Sequence, residues 1–368
     1  MKSGFPLWIR VVTCVAAWAA VLFVSQRLQA QETKEKITVD DVDRSFLLRL
    51  PRGYDSTKHY PAVILLHGMN QDPDDIERLT RFDELADKDG IIVLYPFALH
   101  GRWNVGVRPQ ERRPMTMGPG RRGRYGGGGY PGGGGGYPGG GYPGGGGGYP
   151  GGGQRPSENP DEDRRPAQAD DVAFVNQMLD QVATKASVDA SRIYAIGLSE
   201  GGFMSLRLGC ALGDRLAALG AVGAAMPKNM ICLPSRPVPL VMINGTADKV
   251  VPYGGGTEHN LELSVLSVED SAKAWARIDR CNEKPQKSKL PEHDKGAMET
   301  RVDIYDGCQQ NASVVLYSVK GAGNTWPGGE QYEPENTIGK TSQDFNANET
   351  MWTFLVSRKL ADKSAASQ

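Results

Sequence analysis

Residues 193 to 204 read I-Y-A-I-G-L-S-E-G-G-F-M, the pattern of a strand, a glycine-rich turn and a helix. A short apolar run enters Gly197-Leu198-Ser199-Glu200-Gly201, and the residues after it have the composition of a helix packed on a sheet. Glycines two residues before and after the serine let strand and helix pass closely while the serine takes a strained turn. The pattern predicts a nucleophile elbow that exposes Ser199 at the top of the sheet. The alternative is a glycine-rich turn without chemistry.

Strand and helix patterns alternate on both sides of this turn. Solidly apolar runs, typical of parallel strands covered on both faces, lie at 61–66, 91–95, 216–224, 239–244 and 313–319. Segments with apolar residues at helical spacing separate them. We therefore predict an α/β protein with a mostly parallel central sheet and helices on both faces.

The first 30 residues have the pattern of a signal peptide. Lys2 and Arg10 precede an apolar run at 11–24, and Ala30 is a small residue at a plausible cleavage point. An uncleaved anchor is the alternative, but the run is short for a bilayer span. We expect secretion to the periplasm or the exterior, with no membrane attachment after cleavage.

Residues 105–169 differ in composition from the rest of the chain. An arginine-rich stretch leads into a tract of glycine punctuated by Tyr-Pro pairs and then into an acidic, proline-rich tail. Such a segment cannot bury enough surface to offset its ordering entropy. We predict a disordered insertion in one domain formed by residues 31–104 and 170–361. The alternative is a tract whose tyrosines bind sugars or aromatic polymers. The net charge of −1 gives no reason to expect a nucleic-acid partner.

Four cysteines remain after the predicted signal peptide: Cys210, Cys232, Cys281 and Cys308. An even number in an oxidising compartment predicts two disulfides. Three pairings are possible, and we favour Cys210 with Cys232 and Cys281 with Cys308, since each closes a short loop. The alternative is four buried thiols. No Cys-x-x-Cys spacing or histidine cluster indicates a metal site.

The first long apolar run ends in His67-Gly68-Met69. Glycine directly after a buried strand lets the backbone approach a ligand, so the Met69 N–H can point into a site. With the N–H of Glu200 it would form an oxyanion hole. We interpret His67 mainly as orienting this loop. His67 and Trp103, which follows the next strand, are candidates for contact with substrate.

At this point the chain resembles the secreted polyhydroxybutyrate depolymerase and feruloyl esterase type of α/β-hydrolase, grouped with carbohydrate esterase family 1. The matching pieces are L-L-H-G at Leu65, W-N at Trp103, D-V-A-F at Asp171, G-L-S-E-G-G at Gly197, G-T-A-D-K-V-V-P-Y at Gly245, the cysteines, and N-T-W-P-G-G at Asn324. They cover nearly all of the mature chain outside the glycine-rich tract. The resemblance implies an α/β-hydrolase fold and hydrolysis of a small or polymeric ester. No cofactor is implied, because acyl transfer by this route uses only side chains and backbone amides.

The resemblance also implies the roles of individual residues. Ser199 matches the nucleophile, Asp248 the acid that orients a base, and Met69 and Glu200 the oxyanion donors. In the family the last motif reads G-G-G-H-T-W-P-G and its histidine is the general base, whereas this chain has Asn324. A carboxamide cannot take the serine proton, so we expect weak or lost activity.

Three hypotheses follow from this substitution. The chain is an esterase with a relocated base or weak activity, a silenced relative that binds an ester or polymer in the old pocket, or a scaffold for the glycine-rich tract. Trp326 joins the candidate substrate-binding residues. Of the five histidines, at positions 59, 67, 100, 259 and 293, we consider His100 and His259 as replacement bases.

Overall fold

The computed structural model describes residues 30–107, 170–258, 263–291 and 296–361. The predicted signal peptide lies outside the described residues except for Ala30, and the predicted insertion lies outside them except for residues 105–107. Both therefore stay predictions.

A ten-stranded sheet forms the centre of the protein, in the order β1-β2-β4-β3-β5-β6-β7-β12-β11-β10. Its strands are β1 (Gln31–Val39), β2 (Val42–Leu50), β3 (Tyr60–Leu66), β4 (Ile92–Pro96), β5 (Val188–Leu198), β6 (Ala218–Val222), β7 (Leu240–Gly245), β10 (Gln286–Lys289), β11 (Thr300–Tyr305) and β12 (Val314–Val319). A separate two-stranded ribbon pairs β8 (Gly256–Thr257) with β9 (Ser264–Val265).

The six central strands, from β4 to β12, are all parallel. At each edge two strands add in antiparallel fashion. The predicted mostly parallel sheet is confirmed. Because parallel strands end at the same edge, the segments that follow β3, β5, β7 and β12 meet at one end of the sheet.

Helices cover both faces of the sheet, as predicted. They are α1 (Pro73–Thr80), α2 (Phe82–Asp89), α3 (Asp171–Lys185), α4 (Glu200–Ala211), α5 (Val268–Ile278), α6 (Glu335–Ile338) and α7 (Ala347–Val356). One apolar core contains side chains of α3, α4 and α5, such as Phe174, Phe203 and Trp275. The other contains side chains of α1, α2 and α7. Within the described ranges, no helix is both long and apolar enough to cross a bilayer.

Both predicted disulfides are present, which excludes the alternative of four free thiols. Cys210 at the end of α4 is bonded to Cys232, and Cys281 after α5 is bonded to Cys308 after β11. These bonds tie the segments after β6 and β11 to the helices that cover one face of the sheet.

A buried carboxylate holds the chain on both sides of residues 108–169. Asp171, the first residue of α3, accepts hydrogen bonds from Arg44 Nη2 at 2.5 Å and from the Asn104 amide at 2.6 Å. Arg44 and Asp171 are both buried. The described segments that end at residue 107 and begin at residue 170 are therefore held close together by Asp171.

Candidate functional site

The serine of the G-x-S-x-G motif occupies a sharp turn between β5 and α4. Ser199 has φ of 54° and ψ of −117°, and its amide donates to Val222 O at 2.8 Å. A positive φ is uncommon for a residue other than glycine and marks backbone strain. A Cβ on Gly201 would lie 2.2 Å from Leu66 O, so only glycine allows α4 to pass this close to β3. The local geometry is that of a nucleophile elbow.

An acid and an amide lie beside the elbow. Asp248, in the turn after β7, accepts bonds through Oδ1 from the amides of Val250 and Val251, both at 2.8 Å. Its Oδ2 accepts a bond from Asn324 Nδ2 at 2.8 Å. Asn324 therefore occupies the position in which Asp248 would orient a general base.

The hydrogen bonds of Asn324 define which way its amide points. This fully buried side chain uses both of its N–H groups, on Asp248 and on Gly223 O at 3.0 Å. Its Oδ1 faces the other way and lies 3.4 Å from the hydroxyl of Tyr332. The atom left for a neighbour is therefore a carbonyl oxygen, which accepts a hydrogen bond but does not take up a proton near neutral pH.

Ser199 and Asn324 line one cleft of about 390 Å³. The other residues that line it are Gly68, Met69, Asn70, Gln71, Asp75, Arg78, Val250, Tyr332, Glu333, Thr337 and Ile338. The structure thus brings the predicted nucleophile, one predicted oxyanion donor and the substituted base position into one concave surface, with Asp248 behind Asn324. Most of the lining side chains are polar or charged.

The pKa values of two carboxyl groups at this site are raised into the neutral pH range. Burial raises the pKa of Asp248 to about 7, although its bonds with Asn324, Val251 and Val250 act in the opposite direction. Burial likewise raises the pKa of Glu200 to about 7, against the effect of Arg102. In a serine–histidine–aspartate site an imidazolium would compensate the aspartate charge, whereas the neutral amide of Asn324 does not.

The loop after β3 carries the Met69 amide and is held by several hydrogen bonds. The amide of Gly68 donates to Gln71 Oε1 at 2.8 Å, and the amide of Asn70 donates to Gly101 O at 2.9 Å. Among the described residues the Met69 N–H has no hydrogen-bond acceptor. This free donor and the start of α4 at Glu200 lie at the same end of the sheet, as an oxyanion hole requires.

His67 and Trp103 hold this loop by hydrogen bonds to its main chain. The Ala98 amide donates to His67 Nε2 at 3.1 Å, so the ring proton is on Nδ1, which donates to Gly68 O at 2.7 Å. Trp103 Nε1 donates to His67 O at 2.9 Å, and burial lowers the pKa of His67. Both side chains are buried and neither lines the cleft, so their expected contact with substrate stays a prediction that this geometry does not support.

Trp326 also lies in the core rather than in the cleft. It is fully buried, and its Nε1 donates to Asn348 Oδ1 at 2.8 Å. It belongs to the apolar core that contains side chains of α1, α2 and α7, so its expected contact with substrate stays a prediction that the buried position does not support.

No imidazole among the described residues lines the cleft. His59 lies beside Ser187 before β3, at the opposite end of that strand from the loop with Met69. His100 is exposed, with φ of 53°, and the residue after it contacts Asn70 through the main chain. His259 and His293 lie outside the described residues.

Two features of the site did not follow from the sequence. Tyr332 donates its hydroxyl hydrogen to Asn324 O at 2.8 Å, and its side chain borders the cleft. The carboxyl group of Glu200, considered above only for its main-chain N–H, is buried beside the nucleophile. Tyr332 follows Asn324 by eight residues in an irregular segment, so no periodic pattern marks it.

No protein-family model matches the chain. "Feruloyl esterase B" of Piromyces equi is 32% identical over 163 residues, which are 42% of this chain and 29% of that protein. "Putative esterase NocK" of Nocardia uniformis subsp. tsuyamanensis is 23% identical over 339 residues, 89% of this chain and 83% of that protein. The chain thus spans less than a third of the first relative and most of the second.

Among solved structures, an acetyl xylan esterase from Aspergillus awamori aligns with a TM-score of 0.47 and 11% identity, covering 80% of this chain and 94% of its own. The fold is defined by the strand order of the sheet and by the turn at Ser199. The chain is similar in sequence to proteins named feruloyl esterase and acetylxylan esterase, and its fold is that of an α/β-hydrolase.

Proposed function

We propose that the chain is a serine carboxylic ester hydrolase of the feruloyl or acetylxylan esterase type, with Ser199 as its nucleophile. The observation that carries the proposal is the strained turn at Ser199, which opens into the same cleft as the Met69 loop and Asn324. The names of the relatives support ester hydrolysis as the reaction class.

The cleft favours a substrate that carries hydroxyl groups. Its lining includes amide, hydroxyl, carboxylate and guanidinium groups, and its apolar members are few. Such a surface forms hydrogen bonds with a sugar or a phenolic ester, and these bonds would be lost with an aliphatic polyester. Within the class of esters, a feruloyl or acetyl sugar ester is therefore a better fit than polyhydroxybutyrate.

In this reaction Ser199 Oγ loses its proton to water and attacks the carbonyl carbon, and the tetrahedral intermediate expels the alcohol, whose oxygen takes a proton from water. A second water molecule then hydrolyses the acyl-Ser199 ester and releases the acid. The N–H groups of Met69 and Glu200 stabilise the negative oxygen. The Asn324 amide does not take up the serine proton near neutral pH. Loss of a general base from a serine hydrolase costs on the order of a million-fold in turnover. We therefore expect slow acylation with an otherwise assembled site.

A second candidate function is binding without turnover. It is favoured by one observation: both N–H groups of Asn324 are held by Asp248 and Gly223 O, which leaves only a carbonyl oxygen that does not take up a proton near neutral pH. A protein of this kind would hold an ester or a polysaccharide in the cleft and release it unchanged.

We also propose that the protein is secreted. The two disulfides support an oxidising compartment, since such bonds are rare in reducing ones. Sequencing the N-terminus of the exported protein tests this, because cleavage after Ala30 predicts Gln31 as the first residue.

The test of ester hydrolysis compares the protein with Ser199→Ala on p-nitrophenyl acetate and methyl ferulate. We expect slow hydrolysis that Ser199→Ala abolishes, and a mass increase of one acyl group on the unmodified protein. Equal rates for both proteins, with saturable binding of methyl ferulate, would instead establish binding as the function. Equal rates without binding would refute both candidates.

A further inference from the structure

The carboxyl group of Glu200 takes no part in the reaction proposed above, although it is next to the nucleophile. Glu200 is the first residue of α4, and its side chain is 2% exposed. Its Oε2 has no hydrogen-bond partner among the described residues. A buried carboxyl oxygen without a partner is costly, and more so when it is charged.

The groups that face this carboxyl group compensate its charge only in part. Arg102 Nε donates to Oε1 at 3.2 Å, but the Arg102 side chain is 44% exposed, so solvent screens this pair. The nearby Trp103 amide also lowers the pKa of the carboxyl group. Glu258, a buried residue after β8, adds a negative charge that raises the pKa of both Glu200 and Asp248.

The main-chain N–H of the same residue is one of the two proposed oxyanion donors. The N-terminus of a helix carries a partial positive charge that favours an anion. The negative charge of an ionised Glu200 would lie within the same first turn and oppose that effect. Because the surroundings are buried, the opposition is stronger than it would be in water.

We propose that Glu200 controls the strength of the oxyanion hole: its protonated form leaves the hole able to bind a negative oxygen, and its carboxylate weakens that binding. The proposal rests on the assignment of the hole to Met69 and Glu200 under the proposed function. The Glu200 carboxyl group acts through the hole and touches no substrate atom, so the side chain has a positioning role.

The ionised fraction of Glu200 changes in the neutral range, since burial raises its pKa to about 7. A raised pKa means that the carboxyl group is mostly protonated below this value and mostly charged above it. Oxyanion binding is therefore strongest below pH 7 and falls as the pH rises through it.

Acetate is a suitable probe, because it is the anion of an acyl product and stays ionised from pH 6 to pH 8.5. Its dissociation constant, measured by NMR titration, is expected to rise about tenfold or more over this range in the unmodified protein. Glu200→Gln, which is nearly isosteric, is expected to lose most of this rise and to keep only the smaller part that ionisation of Asp248 causes.

Two variants separate Glu200 from the other buried carboxyl groups. Glu258→Gln is expected to keep the fall in affinity but with its midpoint at lower pH, because loss of a neighbouring negative charge lowers the pKa of Glu200. Asp248→Asn is expected to keep the part of the fall in acetate affinity that ionisation of Glu200 causes. The midpoint shift in Glu258→Gln provides a test even where Glu200→Gln does not fold.

The same pH dependence in Glu200→Gln as in the unmodified protein would overturn the proposal. So would an unmodified protein that does not bind acetate at pH 6. Acetate binding needs no nucleophile, so Ser199→Ala is expected to bind it with unchanged pH dependence. Absence of ester turnover would therefore refute the proposed function and leave this inference standing.

Discussion

Replacing Asn324 with histidine supplies an imidazole, a group that no described residue brings to the cleft. Nδ2 of Asn324 donates to Asp248 Oδ2 at 2.8 Å, and the Nδ1–H of an imidazole on the same Cβ can make the same bond. That bond would orient Nε2 outward into the cleft that Ser199 lines. Asn324→His is therefore expected to complete a serine–histidine–aspartate triad.

The cost of this change can be worked out from the contacts of the side chain. Gly223 O loses its donor, which costs about 1 kcal/mol. The ring is also larger than the amide in a tight position, since a Cβ on Gly223 would already lie 2.7 Å from Asn324 Nδ2. Overpacking of this kind costs about 1–3 kcal/mol. The variant is thus expected to be less stable by about 2–4 kcal/mol and still folded.

The gain in turnover is much larger than this loss in stability. A general base oriented by a buried carboxylate raises kcat by on the order of 10⁴-fold or more. The imidazolium that forms would also favour the charged form of Asp248, whose pKa is otherwise raised to about 7. We expect the rate of Asn324→His to rise with pH as the imidazole loses its proton, as a general base requires.

The assay is hydrolysis of p-nitrophenyl acetate between pH 5 and pH 9. The matched control is the double variant Ser199→Ala/Asn324→His, which carries the same ring without the nucleophile. Cooperative urea unfolding shows that each variant is folded. The reasoning is refuted if Asn324→His unfolds cooperatively and yet hydrolyses the ester no faster than the double variant.

Three further predictions concern stability. Gly201→Ala is expected to unfold the elbow at a cost above about 3 kcal/mol in urea denaturation, because its Cβ would lie 2.2 Å from Leu66 O; a loss below about 1 kcal/mol would contradict the close approach. Asp248→Asn is expected to become more stable than the unmodified protein as the pH rises from 4 to 8. The pKa of Asp248 is raised from 3.8 to about 7, so ionising this carboxyl group in the folded protein costs up to about 4 kcal/mol of stability, which the neutral amide does not lose. A stability difference that does not change with pH would refute this. Replacing Cys210 and Cys232 with serine is expected to cost about 3 kcal/mol for a separation of 22 residues, and an unchanged urea midpoint would argue against the bond.

The central strands could be predicted because burial on both faces leaves a continuous apolar run. The runs at 61–66 and 239–244 match β3 and β7 almost residue for residue. The edge strand Gln31–Val39 was missed, because its mostly charged and exposed side chains carry no apolar pattern. The amphipathic pattern of residues 264–278 favours one continuous helix, whereas Ser264–Val265 pairs with Gly256–Thr257 and the helix begins at Val268.

The elbow was visible in the sequence because its requirements are local: a strand, two glycines at fixed spacing from Ser199, and a helix. The substitution of Asn324 for the expected histidine was visible for the same reason, since a motif surrounds it. The predicted cysteine pairs depended only on loop length and compartment. Each of these predictions depends on residue types and spacings within short segments of the chain.

Local sequence patterns were therefore enough to predict the fold class, the strained turn at Ser199 and the amide in place of a base at position 324. The folded chain was needed to show that Trp103 and Trp326 are buried, that the Asn324 carbonyl faces away from Asp248, and that the charge of the buried Glu200 carboxyl group is not fully compensated. The physical reason is that burial and hydrogen-bond direction depend on segments far apart in the chain, which meet only where the parallel strands end.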